Sequence, residues 1–229
     1  MRLDFFIAHA TGLSRREVKI LLARGEISVD DERRPKASLQ LQPGQTVRCR
    51  GEPLSLPGQR YLMLHKPAGV VSSTSDRDGT SVLQLLPVEL RRDLHIVGRL
   101  DADTTGLLLL SSDGQWSHRI TSPKSSCSKV YRVTTARPLT AEMIGQLRSG
   151  VLLRGEERPT LPAQVEQIED RCLRLTIDEG RYHQVKRMLA AVGNHVEALH
   201  REQIGLLALD PALAPGEYRI LTAEETALF

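Results

Sequence analysis

Between Gly51 and Gly58 the chain reads Gly-Glu-Pro-Leu-Ser-Leu-Pro-Gly, two prolines and two glycines in eight residues. Neither a helix interior nor a central strand accepts that density, because proline lacks an amide donor and glycine orders at a high entropic cost. The 229 residues are therefore expected to divide there. The expected parts are a small unit at 1–51, a linker at 52–60 and a larger unit at 61–229. About 50 residues make only a thin core, whereas the larger part is long enough for a sizeable one. A second interruption, at 153–162, is charged and holds two prolines. It reads as a loop within the larger unit, since apolar periodicity resumes on both sides.

Charge separates the same two parts. Residues 1–51 hold ten Lys/Arg against six Asp/Glu, net +4, while the remainder is close to neutral at −1. A basic small unit points to the backbone of a nucleic acid as its partner. No apolar stretch approaches a membrane span, and the N-terminus has no secretory h-region. Cys49, Cys127 and Cys172 are few, odd in number and far apart, so neither a disulfide framework nor a metal knuckle is expected. A reducing cytoplasm is the expected location.

Periodicity predicts an α+β fold. Ser14-Arg15-Arg16-Glu17 has the form of a capping box, opening a helix that ends near Gly25. Val18, Leu21 and Leu22 form its apolar stripe, leaving Arg15, Arg16 and Lys19 outside it. Short strands are expected at 27–29 and 47–50. In the larger unit, strands are expected at 61–64, 107–111, 130–135, 173–177 and 196–200. Helices are expected at 81–90, 114–121, 140–149 and 183–192. Polar-faced, alternating strands favour a mixed or antiparallel sheet over a doubly wound parallel one.

Three segments carry candidate chemistry. Gly98-Arg99-Leu100-Asp101-Ala102-Asp103-Thr104-Thr105-Gly106 leads into an apolar run at 107–110, which places Asp101 at the edge of a rigid element. An aspartate so held suits a reactive carboxylate. Asp103 is expected to serve the turn. A turn also allows both to converge on a metal, but no further ligand cluster lies nearby and no metal is expected. Arg99 has the chemistry to bind phosphate or to pair with a carboxylate. Tyr131 lies on an alternating strand, either as half-buried core or as a stacking surface for one base. From Asp178 to Met188, a glycine after a strand precedes a helix start, a possible phosphate nest, with Lys186 and Arg187 in the first helical turns. The plainer reading is a basic surface helix.

Together and in this order, Gly98-Arg99-Leu100-Asp101, Lys129-Val130-Tyr131 and the 179–188 segment resemble the RsuA family of rRNA pseudouridine synthases. Residues 1–51 resemble an S4 RNA-binding module. The resemblance covers nearly the whole chain. It implies isomerisation of a uridine to pseudouridine without a cofactor, with Asp101 as catalytic carboxylate. Tyr131 would receive the flipped base, Lys186 would pair with Asp101, and Arg99 would contact substrate. Arg15, Arg16, Lys19, Arg24 and Arg187 would contact RNA. Segments 115–123 and 192–196 are most similar to members acting on 16S rRNA. They imply uridine-516 as the target, met by a monomer in a small-subunit assembly intermediate. The alternatives are a member acting on 23S rRNA and a non-catalytic S4-containing assembly factor. A methyltransferase would need a glycine-rich cofactor loop after a strand, which the sequence lacks.

Overall fold

In a computed structural model, the backbone of residues 1–229 is described, with side chains for all but Asp76 and Lys124. Two compact units emerge, Met1–Gly58 and Gln59–Phe229. The expected linker is thereby corrected. Glu52–Pro53 pairs with the strand before it, and Leu54 packs against the small core, so the small unit continues to Gly58.

The small unit comprises α1 (Leu3–Thr11), α2 (Arg15–Ala23), β1 (Ile27–Val29), β2 (Glu32–Arg33), β3 (Val47–Cys49) and β4 (Glu52–Pro53). Its antiparallel sheet runs β2-β1-β3-β4. The capping box forms as expected: the Ser14 hydroxyl accepts from the Glu17 amide at 3.3 Å, and the Ser14 amide donates to Glu17 Oε2 at 2.7 Å. α1 was not anticipated. Its N-cap, Arg2, makes no side-chain cap, so no local start signal exists. Leu3 and Ile7 anchor it on Val18, Leu21, Ile27, Val29 and Val47.

The larger unit is built on a mixed sheet. Its strands are β5 (Tyr61–Lys66), β6 (His95–Val97), β7 (Thr105–Ser111), β8 (Lys129–Thr135), β9 (Gln164–Glu169), β10 (Cys172–Ile177), β11 (Val196–Ile204), β12 (Leu207–Ala208) and β13 (Tyr218–Ile220). The order is β13-β5-β7-β11-β8-β10-β9, with β6 on β7 and β12 on β11. Among these strands, only β7 and β11 pair in parallel. The helices are α3 (Val88–Arg91), α4 (Gly114–Thr121), α5 (Ala141–Ser149), α6 (Gln184–Ala191) and α7 (Ala223–Thr226). The helix expected at 81–90 is not continuous. Pro87 removes an amide donor, and the segment divides into a 3₁₀ turn at Val82–Leu85 and the short α3.

Strand alternation sorts the two faces. Leu64, Leu108, Val133, Leu173, Leu175 and Leu199 belong to one core, which also holds Val185 and Met188 of α6. Met63, Leu107 and Leu109 point the other way, into a smaller core with Trp116 and Ile120 of α4. The 98–104 turn enters β7 at the edge of both layers, so the packing of its strand fixes its position.

Candidate active site

A row of cross-strand partners builds the floor of the site. Lys66 of β5 pairs with Gly106 of β7, Gly106 with Arg201 of β11, Arg201 with Tyr131 of β8, and Tyr131 with Leu175 of β10. Residues paired across strands share a face. Lys66, Arg201 and Tyr131 are all buried, at 0%, 2% and 8% exposure, so a polar seam runs through an apolar sheet. Gly106, at φ +106°, makes the seam possible. A Cβ there would stand 2.3 Å from the Arg201 carbonyl oxygen.

Each buried cation is satisfied by backbone carbonyls, as burial demands. Lys66 Nζ donates to Pro67, Ala102 and Thr104 at 3.0, 3.2 and 2.8 Å. Two of these carbonyls belong to the turn that carries Asp101. Burial pushes the Lys66 ammonium down to about 8, against the opposing pull of Asp103 and Asp101. Arg201 Nε donates to Leu107 and Nη2 to Gly98, both at 2.8 Å, joining β11 to the two ends of the same loop. Its guanidinium carbon lies 6.0 Å from the Tyr131 ring centroid. Ser72 adds a clamp, donating to the Leu100 carbonyl at 2.8 Å and accepting the Leu100 amide at 3.0 Å.

The turn held in this way presents Asp101 to α6. Lys186 Nζ lies 2.9 Å from Asp101 Oδ2 and 2.6 Å from Asp103 Oδ1. His183 Nε2 lies 3.2 Å from the other Asp101 oxygen. Both oxygens of Asp101 are thus directed by α6 and its N-cap, and its side chain remains 24% exposed to the cleft. Burial works against the charge on Lys186, but hydrogen bonds to Asp103 and Asp101 outweigh it and raise the ammonium above its usual range. The same hydrogen bond lowers the Asp103 carboxyl. The two aspartates do converge in the turn, on an ammonium. The turn itself closes through the Thr104 amide on the Asp101 carbonyl, at 3.1 Å. Asp103, expected to serve that turn, directs its carboxylate to Lys186 instead.

Asp101, Tyr131, Lys186 and Arg99 line one cleft of about 840 Å³, a volume suited to a small ligand or an extruded nucleotide. Arg99 is exposed and makes no hydrogen bond or ion pair among the described residues, so its guanidinium is available to a ligand. Residues 60–191 match the sequence family described as RNA pseudouridylate synthase. The chain belongs to that family. The synthase is 52% identical to the ribosomal small subunit pseudouridine synthase A of Vibrio cholerae serotype O1, over 99% of this chain and 98% of that protein. It is 51% identical to the protein of the same name from Escherichia coli strain K12, over 99% of each. A crystal structure described as pseudouridylate synthase matches the full length of both chains with a TM-score of 0.73 and 44% identity.

The synthase is an isomerase: uridine loses its N1–C1′ bond, gains a C5–C1′ bond, and exchanges the C5 hydrogen for one on N1. Two segments expected to meet RNA make contacts within the fold. Arg187, expected on RNA, is engaged within the fold: Nη1 pairs with Glu156 at 2.7 Å and donates to the Tyr182 carbonyl, while Nη2 donates to the Arg154 carbonyl. In the segment read as a phosphate nest, the Arg181 amide donates to Gln184 Oε1 and the Gln184 amide to the Arg181 carbonyl. Three residues of the site went unread. Lys66 lies beyond the strand expected at 61–64, Arg201 has no motif around it, and His183 has no ligand spacing to mark it.

Proposed function

We propose that this synthase converts uridine-516 of 16S rRNA to pseudouridine in a small-subunit assembly intermediate, with Asp101 as the catalytic carboxylate. The observation that carries the reading is the posture of Asp101, held through both oxygens by Lys186 and His183 at the mouth of a cleft walled by Tyr131. Lys186 orients the carboxylate and offsets its charge in a partly desolvated site. Tyr131 offers an aromatic wall for the extruded base, and Arg99 an unpaired cation for the sugar or phosphate. The likeness to small subunit pseudouridine synthases over nearly the whole chain favours 16S rRNA as substrate.

The small unit acts as an S4-like RNA-binding module. Arg15 and Arg16 occupy the first turn of α2, and Lys19 follows one turn later; all three are exposed and lack hydrogen-bond or ion-pair partners among the described residues. Cations in a first turn oppose the helix dipole, so their placement works against local stability and suits an external polyanion. Arg24 also faces solvent, with Glu26 3.9 Å away. The protein works as a cytoplasmic monomer without cofactor. Among the described residues no helix is long and apolar enough to cross a membrane.

Pseudouridine mapping of 16S and 23S rRNA from cells whose only copy is Asp101→Asn tests this reading. The expected result is loss of one 16S pseudouridine, with rRNA binding by the purified variant retained. Persistence of that pseudouridine, or loss of one in 23S rRNA instead, would overturn the assignment.

A further inference from the structure

Tyr182 stands at the same cleft, and its side chain belongs to none of the apolar cores. It is 77% exposed, the most exposed aromatic side chain among the described residues, in a chain with only three Phe, four Tyr and one Trp. Its hydroxyl has no hydrogen-bond partner among those residues. One face of the ring stacks on His183, with centroids 3.8 Å apart and planes 22° from parallel. The other face is open.

The turn beneath the ring is rigid. The Tyr182 carbonyl accepts from Arg187 Nη1 at 3.1 Å. Arg181 is fastened by Glu156, by Glu179 and by the Arg158 and Pro159 carbonyls. His183 adopts a left-handed conformation, φ 47° and ψ 36°, that a non-glycine residue holds only against strain. That backbone lets the imidazole meet Asp101 on its edge while its face supports Tyr182. An exposed ring normally loses order as well as apolar burial; here it is held in place with one π-face bare. Such a surface is preorganised for another flat π-system.

Granting the reading of Asp101 above, we propose that Tyr182 forms a second nucleobase subsite, stacking the RNA base adjacent to the isomerised uridine. The ring lies one stacked layer beyond the imidazole that touches Asp101, and it lines the same cleft. The subsite reads a π-face and not a hydrogen-bonding edge, so any of the four bases suits it. Its role is to hold the strand open after extrusion, when the neighbouring base has lost its own stacking partner.

The test is a binding cycle with the full-length protein and a 16S rRNA fragment spanning the target. Tyr182→Ala and Tyr182→Phe are each titrated with the natural fragment and with fragments abasic immediately 5′ or 3′ of the target uridine. Tyr182→Phe should bind like wild type. Tyr182→Ala should bind the natural fragment about 5- to 150-fold more weakly, the range for one stacked base. On one of the two abasic fragments that penalty should vanish. An equal loss on all three fragments would assign Tyr182 a merely structural role, and no loss on any would remove the subsite. Turnover of the natural fragment by wild type is measured alongside. Binding without isomerisation would refute the proposed function, while the cycle would still decide the stacking.

Discussion

Gly106→Ala is the most informative single-atom change in this protein, because it puts a methyl group where three strands meet. The new Cβ would lie 2.3 Å from the Arg201 carbonyl oxygen, 2.6 Å from its nitrogen and 2.9 Å from its carbonyl carbon. These are backbone atoms, so no side-chain rotation relieves the overlap. Forcing an L-residue to positive φ costs about 1–2 kcal/mol, and overpacking a tight interior about 1–3 kcal/mol more. A loss of about 2–5 kcal/mol should lower the melting temperature of the larger unit by roughly 5–20 °C. Relief requires β7 and β11 to part at the Gly106–Arg201 pair, which carries the hydrogen bonds of Arg201 to Gly98 and Leu107. A shift of about 1 Å in such a frame costs on the order of 100-fold in rate. Turnover of rRNA at 20 °C, where the variant remains folded, should therefore fall by about that factor. Gly145→Ala is the control: it lies inside α5 with nothing within 4 Å of its would-be Cβ, and should stabilise by about 0.5–1 kcal/mol at full activity. If Gly106→Ala melts and turns over like wild type, the seam does not hold the Asp101 loop.

Two further outcomes are expected. Since the folded-state value of Lys66, about 8, lies below its ordinary 10.5, the unfolded chain binds the extra proton between those limits, and stability should rise with pH across that window. Urea denaturation at pH 7.5, 9 and 10.5 should show this component, about 3 kcal/mol in all, disappear in Lys66→Met; parallel curves for the two proteins would refute it. Replacing Arg15, Arg16 and Lys19 together by alanine should reduce the slope of log affinity against log salt for rRNA by about 2–3 while leaving the melting temperature unchanged or slightly higher; an unchanged slope would place the RNA elsewhere.

Signals that act within a few residues were legible before the structure. The capping box at Ser14–Glu17, the alternation of Leu173, Leu175 and Ile177, and the helix at Gly114–Thr121, capped by Asp113, all lie where local chemistry puts them. β6, β12 and β13 are two or three residues long, too short to show a period, and exist only because a neighbouring strand supplies their hydrogen bonds. α1 starts without a cap and is held by its contacts with the rest of the small core.

The candidate site divides along the same line. Asp101, Tyr131 and Lys186 were readable because each sits in a segment with a recognisable order of residues. Lys66 and Arg201 were not, since a lone cation in an apolar strand resembles an error of patterning until its acceptors are known. The acceptors of Arg201 are carbonyls at Gly98 and Leu107, about a hundred residues earlier in the chain, and those of Lys66 include Ala102 and Thr104. From opposite sides of Gly106, Arg201 holds the two ends of one loop and Lys66 holds carbonyls between them. The aspartate is therefore aimed by a frame whose members share no sequence neighbourhood, and in which the residue that admits them has no side chain at all. A motif names the candidate carboxylate; the placement of that group belongs to the register of β5, β7 and β11, which follows from the packing of Leu64, Leu108 and Leu199 into the core beside it.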